Sequence, residues 1–246
     1  VTSPNDSGFE IDGTTTSVVS NLTVTGGSYG VLVSSGAGGA VDFVDVDISG
    51  TSNAGVYYIK NLKGELTGSI ASSAGAGVKF GSATSSDITW EGMSLGTNAV
   101  GVETAGTGHL TFVDSSFANT KDIVITGSGA VDFIEGTIDT TTVEVPGTGV
   151  FSRMRHLQVT VTADTNPVAD TRVLLKNGAG EPTGSATTDS NGVAADMTFV
   201  TETVDSSGLT VESLAGYQAV TVAQVGSYYY YSSTIVLLLQ YYYYYY

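Results

Sequence analysis

Three carboxylates, Asp45, Asp114 and Glu135, stand at one position of an eight-residue unit that recurs through the first 150 residues of this 246-residue chain. On adjacent turns of a repeating fold, Asp114 and Glu135 would be neighbours. Two like charges so close either raise one pKa, which suits acid–base chemistry, or recruit a cation. Ca²⁺ is the one cofactor such a pair could hold, and no other is implied. The competing reading makes Asp114 and Glu135 solvated turn residues. Asp42, Asp45 and Asp47 form a second acidic group, which makes Asp45 a Ca²⁺ candidate beside Asp114 and Glu135, although alternation and a turn separate the three and no Asp-x-Asp-x-Asp-Gly loop follows.

Other reactive side chains are scattered. His109 and His156 lack the paired spacing of a metal site, there is no cysteine, and no G-x-S-x-G elbow or Walker loop occurs. Gly36-Ala37-Gly38-Gly39 reads as a turn, not a phosphate cradle. Trp90 falls in an inward column and reads as core. Tyr57 and Tyr58 alternate, so one faces outward, where it could stack on a sugar. Asn5-Asp6-Ser7 and Asn21-Leu22-Thr23 match the glycosylation acceptor pattern, making Asn5 and Asn21 candidates. No catalytic constellation emerges, and the chain is not read as an enzyme.

Charge narrows the partners. Twenty-four acids against eight Lys and Arg leave a net charge of −16, which repels both nucleic acid and anionic membrane surfaces. The acidity is concentrated in residues 1–150, which hold 16 acids and four lysines but no arginine. A pectate lyase would need basic residues there to hold an acidic sugar. The apolar run Ile235–Leu239 is far too short to span a bilayer. Val1-Thr2-Ser3-Pro4 shows no secretory leader, as a processed N-terminus also would not.

The elements that position these residues follow from the repeat. The unit reads SVVSNLTV (17–24), VDFVDVDI (41–48), KGELTGSI (63–70), ITWEGMSL (88–95), LTFVDSSF (110–117) and VDFIEGTI (131–138), and its last residues are spaced by 24, 22, 25, 22 and 21. A period of this size predicts a solenoid. The third position (Val19, Phe43, Glu65, Trp90, Phe112, Phe133) and the always apolar eighth form inward columns, with Glu65 the exception. The seventh (Thr23, Asp47, Ser69, Ser94, Ser116, Thr137) is polar and faces away. A shorter strand follows each unit near residues 30–33, 55–58, 77–80, 101–104, 122–125 and 142–145. Such coils cannot bury their apolar side alone, whereas stacked coils share one core and pair their backbones.

This repeat, over roughly residues 9–150, resembles the right-handed parallel β-helix of the pectate-lyase-like superfamily. The resemblance implies architecture far more than activity, since the fold carries lyases, hydrolases, adhesins and structural proteins alike. From about Arg153 the period gives way to alternating segments separated by Asn177-Gly178, Asp189-Ser190-Asn191-Gly192 and Ser206-Ser207-Gly208. Asn166-Pro167-Val168-Ala169-Asp170-Thr171-Arg172-Val173-Leu174-Leu175, continued by Thr188-Asp189-Ser190-Asn191-Gly192-Val193-Ala194, resembles carboxypeptidase-regulatory-like, immunoglobulin-like modules, with Thr171 in place of the usual small apolar residue. Such modules mostly serve secreted proteins as spacers, caps or stalks.

The expected class is therefore all-β: a parallel β-helix of about six coils (1–152), an Ig-like β-sandwich (153–226) and a Tyr-rich low-complexity tail (227–246) with a final strand at 234–240. Thr234, Ile235, Val236, Leu237, Leu238 and Leu239 are candidate assembly residues, because a terminal strand can add to a neighbour's open edge. The expected function is an extracellular or cell-surface structural subunit that forms a homo-oligomer or polymer through β-edge contacts. The alternative is a polysaccharide-binding adhesin or carbohydrate-active enzyme using the β-helix face.

Overall fold

A computed structural model of the chain describes residues 7–163, 165–211, 218–225, 228–231 and 238–240. The chain divides into two compact units, residues 1–153 with 202–210, and residues 154–201 with 211–246. Nearly all regular structure is strand; the one helical segment among the described residues is a 3-10 turn, Thr140–Thr142.

The first unit is a parallel β-solenoid. On one face the strands Ser7–Ile11, Tyr29–Val33, Ala54–Tyr58, Ala76–Phe80, Val100–Thr104, Lys121–Ile125 and Val143–Glu144 follow one another in a seven-stranded sheet. Every neighbouring pair in it is parallel. Six of these are the expected shorter strands. The seventh, Ser7–Ile11, lies ahead of the first eight-residue unit, so the solenoid has about seven turns and not six. Nothing in the repeat marks that first turn, because it contributes only this one strand, with Phe9 and Ile11 turned to the core.

The unit itself is two strands meeting at a corner. Its inward positions, third and eighth, are separated by an odd number of residues, and an uninterrupted strand would send them to opposite faces. The chain restores the phase at the fifth position by turning left-handed: φ is 55° at Asn21, 55° at Asp45, 67° at Gly92, 47° at Asp114 and 58° at Glu135. Three of these five are Asn or Asp and one is Gly, the residues that visit this region at least cost. Beyond the corner, Val24 pairs with Ile48, Ile48 with Ile70, Ile70 with Leu95 and Leu95 with Phe117, residue for residue. Before it, Trp90, Phe112 and Phe133 stack in register on a third face, made of Ile88–Glu91, His109–Val113 and Ala130–Ile134.

Glu65 is not the inward residue of its turn. Phe43 pairs with Leu66, and the register shifts between Phe43 and Val46. This turn therefore has one residue fewer between its two inward positions, Leu66 takes the first of them fully buried, and Glu65 stays exposed. Leu66 and Ile70 are an even number of residues apart, so both face inward along the single strand Leu66–Ala71 with no left-handed residue at Thr67, and Gly68, at φ 119°, pairs with Val46.

The interior has an apolar and a polar part. Tyr58, Phe80, Trp90, Phe112, Phe117 and Phe133 form a continuous aromatic column with centroids 5.1 to 5.9 Å apart. Both edge-to-face and offset contacts occur in it, the geometries rings prefer. At the turn that follows Ile48, Ile70, Leu95 and Phe117 runs a polar ladder. Thr51 and Ser73 share a 2.6 Å hydrogen bond, Ser73 N donates to Asn98 Oδ1 at 2.9 Å, and Asn98 Nδ2 donates to Asn119 Oδ1 at 2.9 Å. Asn119 N then donates to Asp122 Oδ1 at 2.9 Å, and Asp139 N reaches Asp122 Oδ2 at 3.1 Å. The buried Asp122 carboxylate is thus held by backbone and amide donors, as a buried acceptor requires.

The second unit has its own core, in which Leu157, Val159, Val161, Val173, Leu175, Ala194, Met197 and Phe199 pack together. Its four-stranded antiparallel sheet orders Pro182–Thr187, Arg172–Lys176, Gln218–Val225 and Tyr228–Tyr231. Strands outside that sheet, Val150–Thr160 and Val193–Asp205, supply Leu157, Val159, Ala194, Met197 and Phe199, so two sheets share this core. Thr188, buried, accepts from Thr171 N at 2.9 Å and donates to Val168 O at 2.7 Å. Leu238–Gln240 pairs antiparallel with Gln158–Thr160 of the same chain.

Candidate functional site

The fifth-position acids were singled out for chemistry, and they occupy the left-handed corner column. Val113 pairs with Ile134, so Asp114 and Glu135 take successive places in that column, with Asp114 N donating to Ile134 O at 3.0 Å. Their backbones are about one strand spacing, roughly 4.8 Å, apart. Asp45 lies three turns away, about 14 Å along the column at that spacing. Asp45 and Asp114 are exposed and Glu135 is half-buried. The structure brings the second and third candidates together and leaves the first apart. Among the described residues, no three His, Cys, Asp or Glu side chains gather as a metal set.

The outer seventh column is continuous. Thr23 pairs with Asp47, Asp47 with Ser69, Ser69 with Ser94, Ser94 with Ser116, and Ser116 bridges to Thr137; all six are exposed. Beside it, Thr25, Ser49, Ala71, Gly96 and Ala118 form a second column of small residues. This face carries hydroxyls and Asp47 but no cation along those columns.

Tyr57 is the outward member of its pair and Tyr58 the buried one. The Tyr57 ring stacks on Tyr29 at 5.5 Å, and Lys79 Nζ lies 6.0 Å from its centroid. Lys79 in turn pairs with Glu103 at 2.9 Å, and Asn53 Nδ2 donates to the Tyr29 hydroxyl at 2.6 Å. Inside, Tyr58 sits against Phe80 and Trp90, and burial pushes its hydroxyl far above the ordinary tyrosine range. That hydroxyl has no hydrogen-bond partner among the described residues, whereas Trp90 Nε1 donates to Gly64 O at 3.1 Å.

Sequence reasoning passed over one polar contact. His109 Nε2 lies 2.7 Å from Asp132 Oδ2, across adjacent strands of the third face. Asp87 Oδ1 accepts from His109 N at 3.1 Å, and Ser152 also bonds Asp132. Burial raises the Asp132 carboxyl above its usual range, while His109 and Ser152 pull it back. The serine bonds the carboxylate, not the imidazole, so the trio lacks the nucleophile–base contact of hydrolytic triads. Alternation alone could have found the pair, because His109 and Asp132 are outward positions on consecutive units.

Asn21 is an exposed corner residue, reachable from solvent, with Thr23 two places on and also exposed. Asn5 and the assembly candidates Thr234, Ile235, Val236 and Leu237 lie outside the described residues; Leu238 and Leu239 pair with Thr160 and Val159. Among the described residues, no helix is long and apolar enough to cross a membrane. Comparison with protein-family models, with curated proteins and with solved structures finds no match in any of the three. What the geometry defines is a class: an all-β chain built on a parallel β-solenoid.

Proposed function

We propose that this chain is an extracellular or cell-surface structural protein, a subunit that assembles with its own copies into a filament, sheath or layer through β-edge contacts. One observation carries the reading. The acids singled out for chemistry, Asp45, Asp114 and Glu135, stand with Asn21 at the left-handed position where the backbone bends, a place the scaffold itself requires. A solenoid is a stiff, quasi-one-dimensional element, and the net charge of −16 keeps such an element soluble. In this reading the solenoid is the right-handed, pectate-lyase-like kind, and the second unit is an Ig-like module that joins subunits. The two-sheet core of that unit and the Thr171–Thr188 staple support the module.

Sedimentation velocity and electron microscopy of the purified chain, over rising concentration in physiological salt with and without Ca²⁺, test the proposal. Ordered assemblies are expected. A chain that stays monomeric and monodisperse at every concentration overturns it.

A second reading, a glycan-binding adhesin or carbohydrate-active enzyme, is favoured by the Tyr29–Tyr57 pair outside the solenoid, since aromatic faces pack on sugar rings. Ca²⁺ at Asp114 and Glu135 belongs to this reading. Retention on a polysaccharide that Tyr57→Ala abolishes, or turnover lost in Asp114→Asn and Glu135→Gln, would select it.

A further inference from the structure

Two Asn-Gly steps lie in the second unit, Asn177-Gly178 and Asn191-Gly192, and their surroundings differ in a way that bears on covalent chemistry. Asn177 opens the loop between Arg172–Lys176 and Pro182–Thr187. Its Oδ1 accepts from Ala179 N at 3.1 Å and from Glu181 N at 3.0 Å, and its Nδ2 lies 3.3 Å from Glu181 Oε2. The carbonyl carbon of this side chain is therefore polarised by two backbone N–H groups, the arrangement that stabilises an oxyanion when a nucleophile adds. The adjacent Gly178 is exposed, its own N–H has no hydrogen-bond acceptor among the described residues, and it has no Cβ to shield that nitrogen.

The second step is closed. Gly192 is buried, its N–H donates to Asp189 O at 3.0 Å, and its carbonyl accepts from Val161 N at 2.8 Å. Its φ is 75°, and a Cβ there would meet Val161 O at 2.5 Å. Asn191 is itself tethered, its N–H donating to Asp189 Oδ1 at 2.8 Å. The nitrogen that would have to attack is bonded and packed.

We propose that Asn177 is a site of spontaneous covalent modification in the folded protein, and that Asn191 is protected from the same reaction. The Gly178 nitrogen loses its proton to solvent base and adds to Asn177 Cγ. The tetrahedral oxyanion forms under Ala179 N–H and Glu181 N–H. The Cγ–Nδ2 bond breaks, and ammonia leaves with a proton from water. A five-membered succinimide closes, and water opens it at either carbonyl to give aspartate or isoaspartate. No oxidant or reductant takes part. The product adds a negative charge beside Glu181 and, in the isoaspartate form, one methylene to the main chain of a hairpin loop. Opening the Gly192 N–H bond before attack slows the second site by about tenfold relative to the first.

The test is peptide mapping by mass spectrometry of the intact chain after incubation at mildly alkaline pH, with a denatured sample alongside. In the folded chain the peptide holding Asn177 is expected to convert about ten times faster than that holding Asn191, and in denaturant the two rates converge. Gly178→Ala, at a position without positive φ, keeps the loop and is expected to suppress conversion at Asn177. Equal rates at the two sites in the folded chain, or no conversion at Asn177 while the denatured chain converts, overturns the proposal. So does undiminished conversion in Gly178→Ala.

Discussion

The two units reach an apolar core by different routes. In the solenoid each residue is covered by its counterpart one turn away: Ile48 lies between Val24 and Ile70, and Phe112 between Trp90 and Phe133. Packing is thus a relation between copies of one short pattern, and the pattern is visible in the text. In the second unit Val173 and Leu175 come from one sheet and Leu157, Val159, Met197 and Phe199 from strands outside it. No residue there is covered by its own repeat. A core of like on like advertises itself by period; a core of two unlike sheets shows only alternation.

The sharpest way to break this contrast is to cut the aromatic column. Phe112→Ala removes a fully buried ring touching Trp90 and Phe117, and is expected to cost about 3–5 kcal/mol. Because Trp90 is the only tryptophan and lies in that column, its fluorescence reports the solenoid selectively. The Trp90 unfolding midpoint should fall steeply.

Next comes the stacking of turns. Gly106-Thr107-Gly108, Gly127-Ser128-Gly129 and Gly147-Thr148-Gly149 superpose, and a Cβ on Gly127 would meet Gly106 O at 2.2 Å and Ala105 O at 2.5 Å. Those obstacles are backbone and cannot swing aside, so Gly127→Ala should destabilise by about 2–3 kcal/mol by the same probe. If it were neutral, the close backbone approach would not be needed for stacking.

In the second unit Thr188→Val strips the acceptor from Thr171 N and the donor from Val168 O, for about 1–2 kcal/mol. Here circular dichroism should record the loss while Trp90 fluorescence barely moves. A matching shift at Trp90 would show the two units unfolding as one.

Tyr58→Phe should act in the opposite direction. It deletes a buried hydroxyl that has no partner among the described residues and keeps the ring on Phe80 and Trp90, so stability should rise by up to about 1 kcal/mol in denaturant melts.

The smallest effect concerns pH. Burial lifts the Asp132 carboxyl above its ordinary 3.8 against the pull of His109. A carboxyl raised in the folded state contributes stability below its ordinary pKa and loses it as pH climbs through the raised value. Asp132→Asn should therefore gain on the parent from pH 3.8 upward and run parallel above that window. A gap that narrows as pH rises would mean that His109, not burial, sets the balance.

Much of the candidate site was legible in the sequence. The alignment that placed Asp114 beside Glu135 is the register observed, and the polar seventh column pairs as its spacing implied. The reading of Asp114 and Glu135 as turn residues had its support in the column itself, because their shared position also carries Asn21 and Gly92, the residue types of a left-handed turn. That signal was in the column all along. Glu65 shows the limit of aligning by text, since one residue fewer between the two inward positions is invisible until Leu66 is seen to pair with Phe43. The turn at Ser7–Ile11 went uncounted because a single strand leaves no period.

Apolar and polar columns at a spacing of 21 to 25 residues determined by themselves that this chain stacks parallel turns, because only stacking lets each turn bury its apolar side and pair its backbone. They also determined which residues point in and which point out along most strands. Tertiary structure alone decided where each turn bends, that His109 meets Asp132, that Tyr58 is shut away while Tyr57 lies against Tyr29, and that of two identical Asn-Gly steps one stands open and one is packed. Those outcomes depend on what a neighbouring turn or sheet places within a few ångströms, and distance between separate segments is not written in the order of residues.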